Sequence, residues 1–165
     1  MKQKYLMNLE KTDPEFSELF SRFADEEVVN EPGKNLDDRT RYMAILAALL
    51  GCQGRDLFRE ILPQALDAGV TPVEVKEIVY QATAYLGIGR SYPILNITNE
   101  VLKTQGVSLP LPGQATTTPE NRVQKGEDKQ VELFGESYRG AASRGPEESR
   151  HINRWLAGNC FGDYY

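Results

Sequence analysis

Cysteine is scarce in this chain, histidine scarcer still, and long apolar runs are missing. Two cysteines, Cys52 and Cys160, are too few for a disulfide scaffold. With His151 as the single histidine, they cannot supply an ordinary four-ligand zinc site. No metal and no other cofactor is expected. No apolar stretch approaches the ~20 residues of a membrane span. The N-terminus, Met1-Lys2-Gln3-Lys4, leads into mixed polar sequence and lacks the apolar stretch of a signal peptide. Basic residues are outnumbered by acidic ones, 19 to 24, giving a net charge of -5 and a pI near 5.0. That balance argues against a nucleic-acid partner, because phosphate contacts need a basic surface. Strict apolar–polar alternation between turn signals is missing too, so no sheet is assigned. A soluble cytoplasmic protein remains, with neither a membrane nor a nucleic acid as partner. At 165 residues it is one domain, or one domain with an extension.

What is present is helical periodicity from end to end. Thr12 and Glu15 have capping-box spacing, and Asp13-Pro14 offers a cap one residue later. Phe16, Leu19, Phe20, Phe23 and Ala24 then fall on one helical face. Asn30 to Asn35 reads as a loop, and Asp37 can cap the next helix. Tyr42 to Leu50 is apolar on nearly every side, the pattern of a buried helix, and Gly51 can end it. Leu57, Phe58, Ile61, Leu62, Ala65 and Leu66 form the next stripe, with Gly69 as its stop and Pro63 predicting a kink or break near Arg59. Thr71-Pro72-Val73-Glu74 is a second capping box. Val75, Ile78, Val79, Ala82 and Leu86 follow on one face, and Gly87 stops that helix. Ile94, Ile97, Thr98, Val101 and Leu102 make a fifth stripe, closed by Gly106.

The organisation this predicts is an all-α helical domain over residues 1–106, a linker over 107–119 and a helical arm over 120–165. The linker is rich in proline and threonine and cannot be regular helix. Helix resumes from Glu120 to about Tyr138, and a last helix begins at Pro146. The ten residues from Pro14 to Phe23 resemble those from Pro146 to Trp155, with Pro, Glu, Ser and Arg matching and Phe20/Ile152 and Phe23/Trp155 keeping apolar character. As a domain duplication, the second copy would hold only its first helix and lack roughly 70 residues, as in a truncated product. The other reading is a natural C-terminal helix that docks on the first domain. The arm has no evident core of its own, so Tyr138, Ile152, Trp155 and Phe161 are expected to find burial on that domain or on a second subunit, and the chain to self-associate.

The stretch Ala65-Leu66-Asp67-Ala68-Gly69-Val70-Thr71-Pro72-Val73-Glu74-Val75-Lys76-Glu77-Ile78 resembles the signature of the carboxymuconolactone decarboxylase family, which includes the alkyl hydroperoxidase AhpD. Arg41 to Cys52 is similar to the family helix that ends in Gly-Cys, and Tyr85 to Arg90 and Asn96 to Leu102 fit as well. The resemblance covers about residues 36–106. Residues 107–165 look like the junction to a second copy in two-repeat members. It implies an AhpD-like all-α fold, a homo-oligomer and no cofactor. The chemistry it implies is decarboxylase-like and acts on small carboxylates. The alternative it carries is thiol-dependent hydroperoxide reduction. AhpD-like members carry Glu, a Cys-x-x-Cys pair and His on adjoining helices. A low-pKa thiolate attacks, the second Cys resolves, and Glu and His move the proton. Here Arg55 stands at the partner-Cys position, Tyr42 where many members have Glu, and Ile61 where they have His.

The candidate site residues are therefore Cys52, Glu60 and His151, with Arg41 beside them. Cys52 is either a reactive thiol at a helix end, activated by a nearby Arg, or an ordinary buried cysteine. Glu60 is either part of that set or half of a solvated pair with Arg59. His151 aligns with Leu19, an inward-facing register, where a histidine more often fills a core or interface than catalyses. Gly87-Ile88-Gly89-Arg90 lacks the preceding strand of a dinucleotide loop and reads as a cap and turn. Two classes stay open: an enzyme on a small-molecule substrate, and a non-catalytic structural or regulatory subunit.

Overall fold

A computed structural model describes residues 9–33 and 36–165. The expectations for Met1–Lys4, and for Lys34 and Asn35 within the first loop, lie outside the described residues. Every regular element among the described residues is helical, and no strand occurs, as the periodicity predicts. The order is α1 (Pro14–Ser21), continued by a π-helical segment Arg22–Val28, then α2 (Asp38–Gly51), α3 (Arg55–Asp67), α4 (Pro72–Leu86), α5 (Ile88–Thr104) and α6 (Arg122–Phe134). Two short 3₁₀ turns follow, Glu136–Tyr138 and Ala141–Ser143, before α7 (Arg150–Trp155) and its π-helical continuation Leu156–Asp163.

Helices α2 to α5 form the core. α2 packs on α3 and α4, and α5 closes the group against α3 and α4. Leu46, Phe58, Ile61, Leu62, Ala65, Val75, Val79 and Ile94 are fully buried there. Each large apolar side chain removed from water in this way contributes roughly 1.5–3 kcal/mol. The caps were legible locally. The Asp37 carboxylate accepts from the Thr40 backbone N–H at 2.9 Å and starts α2. At the head of α4 the box is reciprocal: the Glu74 N–H donates to the Thr71 hydroxyl at 3.2 Å, and the Thr71 N–H donates to the Glu74 carboxylate at 2.9 Å. The same carboxylate pairs with Arg39 of α2, tying the starts of two helices together. Gly69 ends α3 with φ +92°, and Val70 N–H reaches back to Ala65 O at 3.0 Å.

Several expectations are corrected. The Thr12–Glu15 box does not form, because the Thr12 hydroxyl donates to its neighbour Asp13 at 2.6 Å and helix α1 begins at Pro14. The stripe Phe16, Leu19, Phe20 and Phe23 is exposed, with Phe23 at 59 %, since no element among the described residues covers it. Only Ser17 of α1 is buried. Helix α2 is not buried all round: Tyr42, Leu46 and Leu50 face the core, while Ala44, Ala47 and Ala48 are exposed. Helix α3 runs through Pro63 without a break. Residues 88–90 are the first turn of α5, so Gly87 ends one helix and opens the next. Helix α7 starts at Arg150, four residues past Pro146, because Pro146 to Ser149 make turns instead.

The arm has packing of its own, contrary to expectation. Gly126 and Gln130 of α6 are buried against Ala157, Gly158, Cys160 and Gly162. The approach is backbone on backbone. A Cβ on Gly126 would lie 1.8 Å from the Ala157 carbonyl oxygen, and one on Gly162 would lie 2.3 Å from that of Arg122. Only glycine permits this contact at these two positions. The arm touches the core where Cys160 Sγ lies 3.3 Å from the Tyr85 hydroxyl of α4.

Candidate functional site

The residues singled out from sequence fall on three separate elements. Cys52 is the C-terminal cap of α2 and is exposed. Its thiol is directed to the Leu49 carbonyl at 3.6 Å. Carbonyls, not N–H groups, gather at a helix C-terminus. The activating helix N-terminus is thus not the one Cys52 occupies, although Gly54, the cap of α3, stands two residues on. Glu60 lies exposed on α3, and Arg59 pairs across to Glu100 of α5 at 2.7 Å, not with Glu60. His151 lies in the first turn of α7 on the surface, its ring edge-on to Trp155 at 4.7 Å. The inward register suggested by Leu19 does not hold, because Leu19 itself faces outward. Trp155 is 65 % exposed and Ile152 is exposed as well. Arg41 has a largely buried side chain paired with Asp38, and its Nε is buried without a hydrogen-bond partner.

The family positions are placed as clearly. Ile61 is fully buried in the core, and Tyr42 is 4 % exposed, its hydroxyl donating to the Gln64 amide oxygen at 3.3 Å. Arg55 opens α3 and is exposed. The Ile61 and Tyr42 side chains are both closed into the core rather than presented to an open pocket.

A further cluster of polar groups lies elsewhere. A cavity of about 440 Å³ opens between α4, α5 and the linker. Helix α4 contributes Val73, Lys76, Glu77 and Tyr80, and α5 contributes Asn99 and Lys103. The far wall is the linker from Leu109 to Gln114. Lys76 is 9 % exposed as a residue, a rare state for a lysine. Its Nζ donates to the Asn99 amide oxygen and sits 5.7 Å from the centre of the Tyr80 ring. Sequence reasoning missed this set. Two i,i+4 pairs, Lys76–Tyr80 and Asn99–Lys103, were the available signal, since each pair shares one face of its helix.

One further polar contact is electrically distinct. Cys160 and Tyr85 lie 3.3 Å apart where arm meets core. The hydrogen bond that Tyr85 shares with Cys160, with some burial and the negative charge of the ionised thiol, disfavours the phenolate, so Tyr85 is pushed up to about 12. Among the described residues no group of three His, Cys, Asp or Glu side chains could hold a metal ion. No helix among them is long and apolar enough to cross a membrane.

Comparison with known proteins gives one consistent answer. The model of the carboxymuconolactone decarboxylase family matches residues 14–100, from the start of α1 into α5. A 4-carboxymuconolactone decarboxylase from Acinetobacter baylyi is 33 % identical over 103 residues, covering 62 % of this chain and 75 % of that protein. No solved structure gives a significant match. The matched span coincides with the helices whose caps, stops and core have just been described, and the chain belongs to the carboxymuconolactone decarboxylase family.

Proposed function

We propose that this chain is an assembling subunit of its family with little catalytic power of its own, and that any residual chemistry is cofactor-free decarboxylation of a small carboxylate. The observation that carries this reading is the burial of Ile61 and Tyr42 in a closed core. Decarboxylation leaves an electron pair on carbon when the carboxyl group departs as CO₂. The reaction needs a sink for that pair and an acid to return a proton. Ile61 cannot donate one, and the Tyr42 hydroxyl is buried in the core and already hydrogen-bonded to Gln64. Each lost acid–base group removes typically 10²–10⁴ in rate. The activity named for the Acinetobacter protein supports the substrate class. The exposed apolar residues Phe16, Leu19, Phe23 and Trp155 support a homo-oligomer.

The test is a direct assay of the purified chain on 4-carboxymuconolactone beside the Acinetobacter enzyme. The expected kcat/KM lies at least about 10²-fold below that enzyme, in keeping with one or more missing acid–base groups. A value within tenfold would overturn the reading. A hydroperoxide reductase is the second reading, and the exposure of Cys52 favours it. Its thiolate would attack the O–O bond, releasing the alcohol and leaving a sulfenic acid, which an outside thiol would then reduce because Arg55 cannot. Reduction of cumene hydroperoxide with dithiothreitol that is abolished by Cys52→Ser would establish that second reading in place of the first.

A further inference from the structure

We propose that the cavity between α4, α5 and the linker is a binding site for a small monocarboxylate with an apolar body. The inference goes beyond the reading above, because it requires no catalysis and uses none of the residues at the family positions. It starts from an imbalance of charge. An ammonium taken out of water is costly unless an anion or a full set of hydrogen bonds replaces the water. Lys76 is nine-tenths buried, yet among the described residues no carboxylate pairs with it. Its partners are one neutral amide, Asn99, and the face of Tyr80. An ammonium has three N–H donors, so capacity is left over on the cavity side. Lys103 of α5 lines the same cavity, exposed and unpaired among the described residues.

The remaining walls set the kind of anion. Glu77 lines the same cavity, so two ammonium groups face one carboxylate and the site is short of a single negative charge. A second carboxylate on the ligand would meet Glu77 and be repelled. Val73, Leu109 and Leu111 supply apolar surface, and Pro110 and Pro112 stiffen the linker wall. That surface favours a hydrocarbon body over inorganic phosphate, which has none to bury. The volume, about 440 Å³, falls in the range of small-molecule sites.

Calorimetric titration of the full chain with benzoate, benzyl alcohol and inorganic phosphate tests the proposal. Benzoate is expected to bind with a dissociation constant of millimolar or tighter, and at least about tenfold more tightly than either competitor, since one hydrogen bond to a charged group is worth roughly that factor. Lys76→Met keeps the apolar stem and should weaken benzoate about tenfold or more. Lys103→Met is the second variant, guarding against a Lys76→Met chain that fails to fold, and should weaken benzoate in the same direction. Lys129→Met, on α6 and outside this cavity, should change nothing. Equal binding of benzyl alcohol, equal or tighter binding of phosphate, unchanged affinity in both Lys76→Met and Lys103→Met, or no heat from benzoate at 10-millimolar order would each overturn it. These outcomes are independent of turnover, so the proposal can fail while the low-activity reading stands, and the reverse.

Discussion

Gly126→Ala places one methyl group where, of all the glycines, an added Cβ would come nearest to neighbouring backbone. Two effects of opposite sign compete there. Alanine favours an α-helix interior over glycine by roughly 0.5–1 kcal/mol. Against that, the new Cβ would sit 1.8 Å from the Ala157 carbonyl oxygen and 2.6 Å from its carbon. Neither atom can rotate away, because both are backbone, so the 157–162 segment must retreat by about 1.5 Å to reach ordinary contact. The retreat unpacks Ala157, Gly158, Cys160 and Gly162 together. Overpacking of this kind typically costs 1–3 kcal/mol, and an unyielding backbone puts it at the upper end. The net expectation is a loss of about 2 kcal/mol. With a urea slope of about 2 kcal/mol per molar, the midpoint falls by about 1 M. Trp155 is the one tryptophan and lies in α7, so its fluorescence reports the arm while circular dichroism reports the whole chain. Gly89→Ala is the control, because a Cβ there meets nothing within 4 Å and only the propensity effect remains. A Gly126→Ala chain as stable as Gly89→Ala would refute the close approach of α6 to the 157–162 segment.

Three further expectations concern other links. Thr71→Ala removes the hydroxyl that caps α4 and should cost about 1 kcal/mol in urea unfolding, while Thr71→Ser should retain most of it. The phenol of Tyr85 should titrate at about 12 by ultraviolet absorbance, and Cys160→Ala should return it toward 10.0. Because the folded-state value is raised, the stability from that contact is complete below pH 10 and is lost as the pH climbs through about 12. Ile61→His places the histidine expected from the resemblance at a fully buried position, where an imidazole without a partner costs roughly 1–3 kcal/mol. The variant should unfold earlier and gain no decarboxylase activity, whereas a gain would show that only the side chain, and not the pocket, is missing.

How much was legible depends on the range of the cause. Asp37, Thr71 and Gly69 act within a few residues of themselves, so their roles could be read from spacing, and the structure realises all three. The buried faces of α3 and α5 were legible because Phe58, Ile61, Leu62 and Ile94, Ile97, Val101 repeat at helical spacing and meet each other. The stripe on α1 repeats as clearly and stays exposed, since periodicity identifies an apolar face but not what covers it. His151 failed for the same reason: its register was borrowed from Leu19, whose own surroundings were assumed. Cys52 was found, but its place at the C-terminal cap of α2 depends on where that helix stops. The Lys76 cavity was hidden because its third wall is a linker whose path no local rule predicts. A lysine beside an apolar stripe reads as solvated until Asn99 and the 109–114 segment are set against it.

The carboxylate of Glu74 belongs to two helices at once. It closes the first turn of α4 through Thr71 and anchors α2 through Arg39. Fraying at the head of α4 therefore loosens the start of α2 as well, because both ends share that carboxylate. The two helix starts open as one cooperative unit rather than as independent ends. Amide hydrogens at Thr71 and Glu74 should exchange with solvent at a rate tied to that of Thr40 and Arg41, and a lesion in either turn should quicken exchange in both. A single side chain thus makes the local and the long-range signals in this sequence agree, the condition under which a chain folds without competing minima.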